Sequence, residues 1–302
     1  MSAKPTLTYL GLALAVIAWG ASFVAARMVL AGDGHTLTPI GLAAVRFALA
    51  SVLLLPVAGW RMLREGWPCL RDLIWLCLLG QLGFSTYFWL QYTGVQRTNA
   101  GISAVLVVGL MPSATAVVSR FTLREEFGWW RAAGLALGAL GVLAVSLQRD
   151  LRVSTESGFL VGVACLVANA FAIAIYSTAV RRLRSRNSTV TVTALTMTFG
   201  ALGLLPLAII EQGWDNLGYL DTAQYGAIAF LVIGCSMFAY FAYNYALAHM
   251  PAYRVVTWVY LEPVVAVVLG FTLLQEQVSL YTIIGSVLIA SSVYLVQHRN
   301  EQ

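Results

Sequence analysis

Ten apolar runs of about twenty residues each, separated by short polar breaks, leave this chain few ways to fold. Their approximate edges are 7–30, 38–58, 72–94, 100–120, 129–147, 158–180, 190–210, 224–247, 252–273 and 279–297. A run of this length reaches across a bilayer as a helix, and a helix satisfies its own backbone hydrogen bonds, as lipid demands. The chain is 60% hydrophobic and 10% charged. Soluble domains carry roughly 25% charged residues, so no soluble fold hides this much apolar surface. The expectation is an all-α membrane protein of ten transmembrane helices. The first run, after Lys4, is longer than the apolar stretch of a signal peptide and reads as an uncleaved first span.

The runs repeat. A shift of 151 residues places Gly83 on Gly234, Tyr92 on Tyr243, Pro112 on Pro263, Leu123 on Leu274, Glu125 on Glu276 and Gly134 on Gly285. Apolar matches between membrane helices are common, but ordered matches of Gly, Pro, Tyr and Glu are not. The polar break at 148–157 separates two halves, 1–149 and 150–302, of five spans each. An odd number of spans per half sends the second half into the membrane from the opposite side. The repeats are therefore expected to be inverted, an arrangement suited to alternating access around a site near the midplane.

Basic residues set the orientation. With the N-terminus in the cytoplasm, thirteen of the 18 Lys and Arg fall on the inside and three, Arg97, Arg149 and Arg152, on the outside. Both termini are expected to be cytoplasmic. Arg27 and Arg46 lie within spans. The net charge of +5 resides in loops between spans, which excludes a nucleic-acid surface as its meaning. Arginine outnumbers lysine seventeen to one, as in GC-rich bacterial genomes, and the expected location is a bacterial inner membrane. Cys69, Cys77, Cys165 and Cys235 show no metal-ligand or redox spacing. No metal, no cofactor and no catalytic motif is expected, so the chain does not read as an enzyme.

Several residues stand out for chemistry. Glu262, near the middle of span 9, is an ionisable group where one is costly. It can carry a proton, bind a substrate amino group, or brace the helix break before Pro263. Its counterpart under the shift is Met111, so the acid breaks the symmetry. Arg46 lies about 12 Å into span 2 and can bind a carboxylate or hold the bundle together. Pro112 and Pro263 can kink their helices and act as hinges. On span 3, Gln81, Ser85, Phe88 and Tyr92 share one helical face. Span 8 offers Phe238, Phe241, Asn244 and Tyr245, span 6 offers Asn169 and Tyr176, and span 9 offers Trp258. As a group they suit the lining of a cavity for an amphipathic organic solute. Singly, each is as well explained by packing. Glycines 134, 138, 141, 158 and 162 make small faces for close helix approach.

Certain of these stretches resemble a known family. Trp19-Gly20-Ala21-Ser22-Phe23, Arg46-Phe47, the Pro112 to Glu125 unit and the Glu262-Pro263 to Glu276 unit are similar to EamA-type members of the drug/metabolite transporter superfamily. The resemblance covers nearly the whole chain and lies in the order and spacing of the motifs. It implies ten helices, with spans 1–4 and 6–9 around a central cavity and spans 5 and 10 at the periphery. It also implies export or exchange of small metabolites such as amino acids. Related small multidrug exporters exchange protons at a glutamate in their first helix, and span 1 here contains no acid. The reading is a secondary transporter exporting small organic metabolites, amino acids first and aromatic ones among them. A multidrug or broad-solute permease of the same fold is the alternative, and a non-transporting receptor or scaffold is a more distant one. The partners expected are a small-molecule substrate and the lipid bilayer, with proton coupling open, the protein being a monomer or weak dimer.

Overall fold

The computed structural model describes residues 5–30, 35–98, 103, 105–124, 128–146, 158–183, 187–274 and 279–298. Among them the regular structure is helical, with no strand. Helix α1 is Pro5–Leu30, α2 Pro39–Glu65 and α3 Leu70–Arg97. A π turn at Val105–Gly109 leads into α4, Leu110–Thr122, and α5 is Trp129–Ser146. Then come α6, Phe159–Leu183, α7, Thr189–Ile210, and α8, Thr222–His249. The next segment, α9, runs as Ala252–Thr257, a 3-10 turn Trp258–Leu261 and Glu262–Leu274, and α10 is Leu280–His298. Seven of these helices are long and apolar enough to cross a membrane; the apolar stretches in α4, α5 and α10 are shorter. Large apolar side chains such as Phe121 and Ile210 stand exposed, as lipid-facing residues do.

Helix ends follow the local chemistry. Thr38 caps α2 by accepting from the Gly41 amide, with Pro39 in the first turn where its missing donor costs nothing. The expected end of this helix was 58, yet it runs to Glu65. Polar residues carry it past the apolar run: Arg61 pairs with Glu65 at 2.7 Å, and Arg64 lies 4.0 Å over the Trp60 ring. Gly66 then stops it at φ 98°, a conformation glycine adopts without penalty. Asp221 and Gln224 form a capping box at the start of α8. Glu125 and Glu276, which close the repeated proline units, lie outside the described residues.

The chain divides into two compact units. The first comprises Met1–Trp89 and Ala179–His249. Here α2 packs along α7, α1 along α8, and the first part of α3 along α7. Small residues permit the approach: a Cβ at Gly80 would lie 2.9 Å from Phe199 Cβ, besides striking the Thr196 carbonyl. Two π turns occur in this unit, Gln81–Thr86 in α3 and Leu231–Phe238 in α8. Shifted by 151, the first falls inside the second.

The second unit comprises Leu90–Thr178 and Met250–Gln302. Its main contact is α5 on α10. Ser292 Oγ donates to the Gly134 carbonyl at 2.6 Å, and a Cβ on Gly141 would lie 2.9 Å from the Gly285 carbonyl. Gly285 and Ser292 are the shifted positions of Gly134 and Gly141. Each contact therefore joins the 151-residue counterparts of the positions joined by the other.

Candidate functional site

In the first unit a buried cation sits among aromatic rings. Helix α2 carries Arg46 into the core, where it is 9% exposed. Its Nε donates to Ser236 Oγ at 2.5 Å. The guanidinium carbon lies 5.0 Å from the centre of the Phe47 ring and 6.0 Å from that of Phe88. Phe47 meets Phe84 and Phe88 at 5.0 Å each, and Tyr240 at 6.1 Å, so four rings converge beside the charge. Trp19 adds edge contacts to Tyr240 at 5.2 Å and Tyr243 at 5.4 Å, and its indole N–H donates to the Cys235 carbonyl at 3.0 Å.

Magnitudes show that this arrangement is tolerable without a protein carboxylate. Inserting an arginine at the centre of a span costs about 2.5–3.5 kcal/mol on translocation scales. A desolvated cation–π contact returns up to about 2 kcal/mol, and a hydrogen bond from a charged donor about 1.5–3 kcal/mol. Neither terminal nitrogen of Arg46 has a hydrogen bond among the described residues. The two terminal nitrogens carry the other four of the guanidinium's five N–H donors, in the planar fork that matches a carboxylate.

The other polar residues of this unit are engaged with backbone or neighbouring helices. Gln81 Nε2 donates to the Phe199 carbonyl at 2.5 Å. Ser85 Oγ donates to the Gly200 carbonyl at 2.7 Å and lies 3.0 Å from Gln81 Oε1. Both therefore hold the π turn of α3 against α7. Asn244, fully buried on α8, donates to Thr193 Oγ1 at 3.0 Å. Phe241 stacks on Tyr245 at 6.3 Å, while Phe238 is 41% exposed and points away from the core. Of the span 3 face, Phe88 reaches the Arg46 cluster, and Gln81 and Ser85 lie beside it on α3.

The remaining candidates belong to the second unit. Glu262 begins the last segment of α9, immediately after the 3-10 turn. It is half-buried and has no hydrogen bond or ion pair among the described residues. The backbone passes through it without a break, Glu262 being in right-handed helical geometry with its amide donating to the Val259 carbonyl. Pro263 follows it, and Pro112 stands third in α4 after the π turn Val105–Gly109. Each proline thus adjoins a departure from α-helical geometry, where its missing donor is accommodated. Trp258 opens the 3-10 turn and is partly buried, as is Tyr92 on α3. Asn169 and Tyr176 on α6 are fully buried.

Sequence reasoning overlooked Ser236, Phe84 and Tyr240. A signal was present for one of them, because Ser236 is the shifted position of Ser85. Both hydroxyls make interhelical bonds, one to α7 and one to Arg46 of α2.

The EamA-like transporter family matches the chain twice, over residues 6–147 and 160–297. An uncharacterized transporter of Archaeoglobus fulgidus is 30% identical, over 94% of this chain and 96% of its own. A probable terminal-alkyne amino-acid exporter of Streptantibioticus cattleyicolor is 28% identical, over 95% of this chain and 92% of its own. A protein of known crystal structure, 18% identical, superposes with a TM-score of 0.76 over 98% of this chain and 97% of its own, a likeness of fold. With both halves matched and relatives aligned along nearly their full lengths, the chain belongs to the EamA-like transporter family.

Proposed function

We propose that this transporter exports small organic amino acids across a bacterial inner membrane by alternating access, with Arg46 gripping the substrate carboxylate. The observation that carries this reading is the Arg46 environment: a buried guanidinium held by Ser236 and aromatic faces, its terminal nitrogens without a hydrogen bond among the described residues. A carboxylate completes that arrangement, and the surrounding rings favour an apolar or aromatic side chain. The name of the Streptantibioticus cattleyicolor relative, an amino-acid exporter, agrees with this substrate class.

The proposed architecture is ten spans in two inverted repeats, 1–149 and 150–302, with both termini cytoplasmic. The double family match, the paired π turns and the reciprocal contact of α5 with α10 support it. Glu262 is the proposed proton-carrying group, and Pro112 and Pro263 are the proposed hinges.

Counterflow of a labelled amino-acid panel into proteoliposomes, without an ion gradient, tests the proposal. Accumulation of a subset by the wild type, lost in Arg46→Gln, is the expected result. Accumulation of cationic drugs instead, unaffected by Arg46→Gln, overturns it and favours a broad-solute permease.

A further inference from the structure

A second cationic feature lies away from Arg46, entirely within the first unit. The first turns of α3 and the last turns of α6 enclose a cleft of about 460 Å³. Arg71, Asp72, Trp75 and Leu79 line it from α3, and Arg181 and Arg182 from α6. Three arginines and one aspartate line it, a formal excess of two positive charges among the lining residues. Asp72 has other support as well. It is buried in the first turn of α3, where the helix dipole favours an acid, and it accepts from Asn187 Nδ2 at 3.0 Å.

The cleft is graded. Arg71 stands at its outer end, the exposed Trp75 one turn further in, and the buried Leu79 one turn beyond that. Arg71 and Leu79 are separated by about 12 Å along the helix. Tryptophan at the boundary between a charged mouth and an apolar depth is the usual marking of a membrane interface. On the proposed orientation the charged mouth lies at the cytoplasmic surface. An amino acid with no net charge does not need an excess of two cations. An amphiphile with a phosphate head and a hydrocarbon tail fits both ends of the gradient.

We infer that this cleft binds the phosphate headgroup of an anionic phospholipid of the inner leaflet, with the acyl chain lying along Trp75 and Leu79. Basic pockets between membrane helices recognise such headgroups, with each arginine contributing a factor of about five in affinity. The lipid is distinct from the transported solute, because the cleft and the Arg46 cluster share no lining residue.

The test uses the delipidated full-length protein in detergent, titrated with phosphatidylglycerol, phosphatidylethanolamine or inorganic phosphate. Native mass spectrometry reads bound lipid and a thermal scan reads stabilisation. Phosphatidylglycerol is expected to be retained and to raise the Tm, with phosphatidylethanolamine bound at least about five-fold more weakly and inorganic phosphate without effect. Arg71→Gln and Arg182→Gln remove exposed side chains and are expected to weaken phosphatidylglycerol binding about five-fold each. Arg61→Gln, an exposed arginine outside the cleft, is expected to change nothing. Equal retention of the two lipids, or equal effects of Arg61→Gln and Arg182→Gln, overturns the inference. Stabilisation by inorganic phosphate as strong as by phosphatidylglycerol overturns the lipid assignment, leaving a soluble-anion site.

Discussion

The Tyr260 hydroxyl donates to the carbonyl of Gly109 at 3.2 Å, and the two residues stand 151 positions apart. Tyr260 thus touches its own counterpart in the other half of the sequence. A residue that does so lies close to any twofold axis relating the halves. The same hydroxyl is 3.1 Å from the Leu135 carbonyl, so it ties the π turn before α4 to α5. Tyr260→Phe keeps the ring and removes these bonds. A loss of stability of about 0.5–2 kcal/mol is expected, read as a lower Tm in detergent. An unchanged Tm would show that the bonds contribute nothing net.

Replacing Arg46 by Lys keeps the charge and removes the planar fork. If the terminal nitrogens bind a carboxylate bidentately, the apparent KM for counterflow rises about ten-fold or more, as loss of about 1.4 kcal/mol of binding requires. An equal KM in Arg46→Lys and wild type would reduce Arg46 to a buried structural cation.

Glu262→Gln preserves shape and hydrogen-bonding capacity while removing the ionisable proton. Transport measured from acid to alkaline pH is expected to lose its pH dependence, with the elution profile and Tm of the variant unchanged. Normal pH dependence in this variant would rule out Glu262 as the coupling group.

Glycines divide sharply by surroundings. A Cβ at Gly141 would press on the backbone of Gly285 and Ile289 at 2.9 Å, whereas at Gly59, within α2, it would meet nothing within 4 Å. Gly141→Ala is expected to destabilise by about 1–3 kcal/mol and Gly59→Ala to stabilise by about 0.5–1 kcal/mol. Thermal scans of the two variants on the same day suffice, and the same sign for both would contradict the packing of α5 on α10.

Orientation is testable with the native cysteines. Cys69 is exposed in the connection between α2 and α3, and Cys235 is buried. A membrane-impermeant maleimide is expected to label Cys69 in inside-out vesicles and not in intact cells, leaving Cys235 unmodified in both. The reverse pattern for Cys69 would invert the assigned topology.

The apolar runs determined the helices by themselves, because a twenty-residue run in lipid has no alternative to the helix. Edges chosen from hydropathy fell within a few residues of those observed, except at the end of α2, which polar side chains extended to Glu65, and at the expected start of the fourth span at 100, which lies outside the described residues. The 151-residue shift was equally legible, being carried by residues too scarce to match by accident. Side-chain partners were not. Gln81 and Ser85 read as cavity lining, yet both grip carbonyls of α7, since spacing along one helix does not say which neighbour it faces. Arg46 stood out as a costly charge, but only packing brought Ser236, Phe47 and Phe88 around it, from positions as far as 190 residues away. Sequence records which groups a helix carries; the packing of helices against one another decides which of those groups are spent on structure and which remain for a solute.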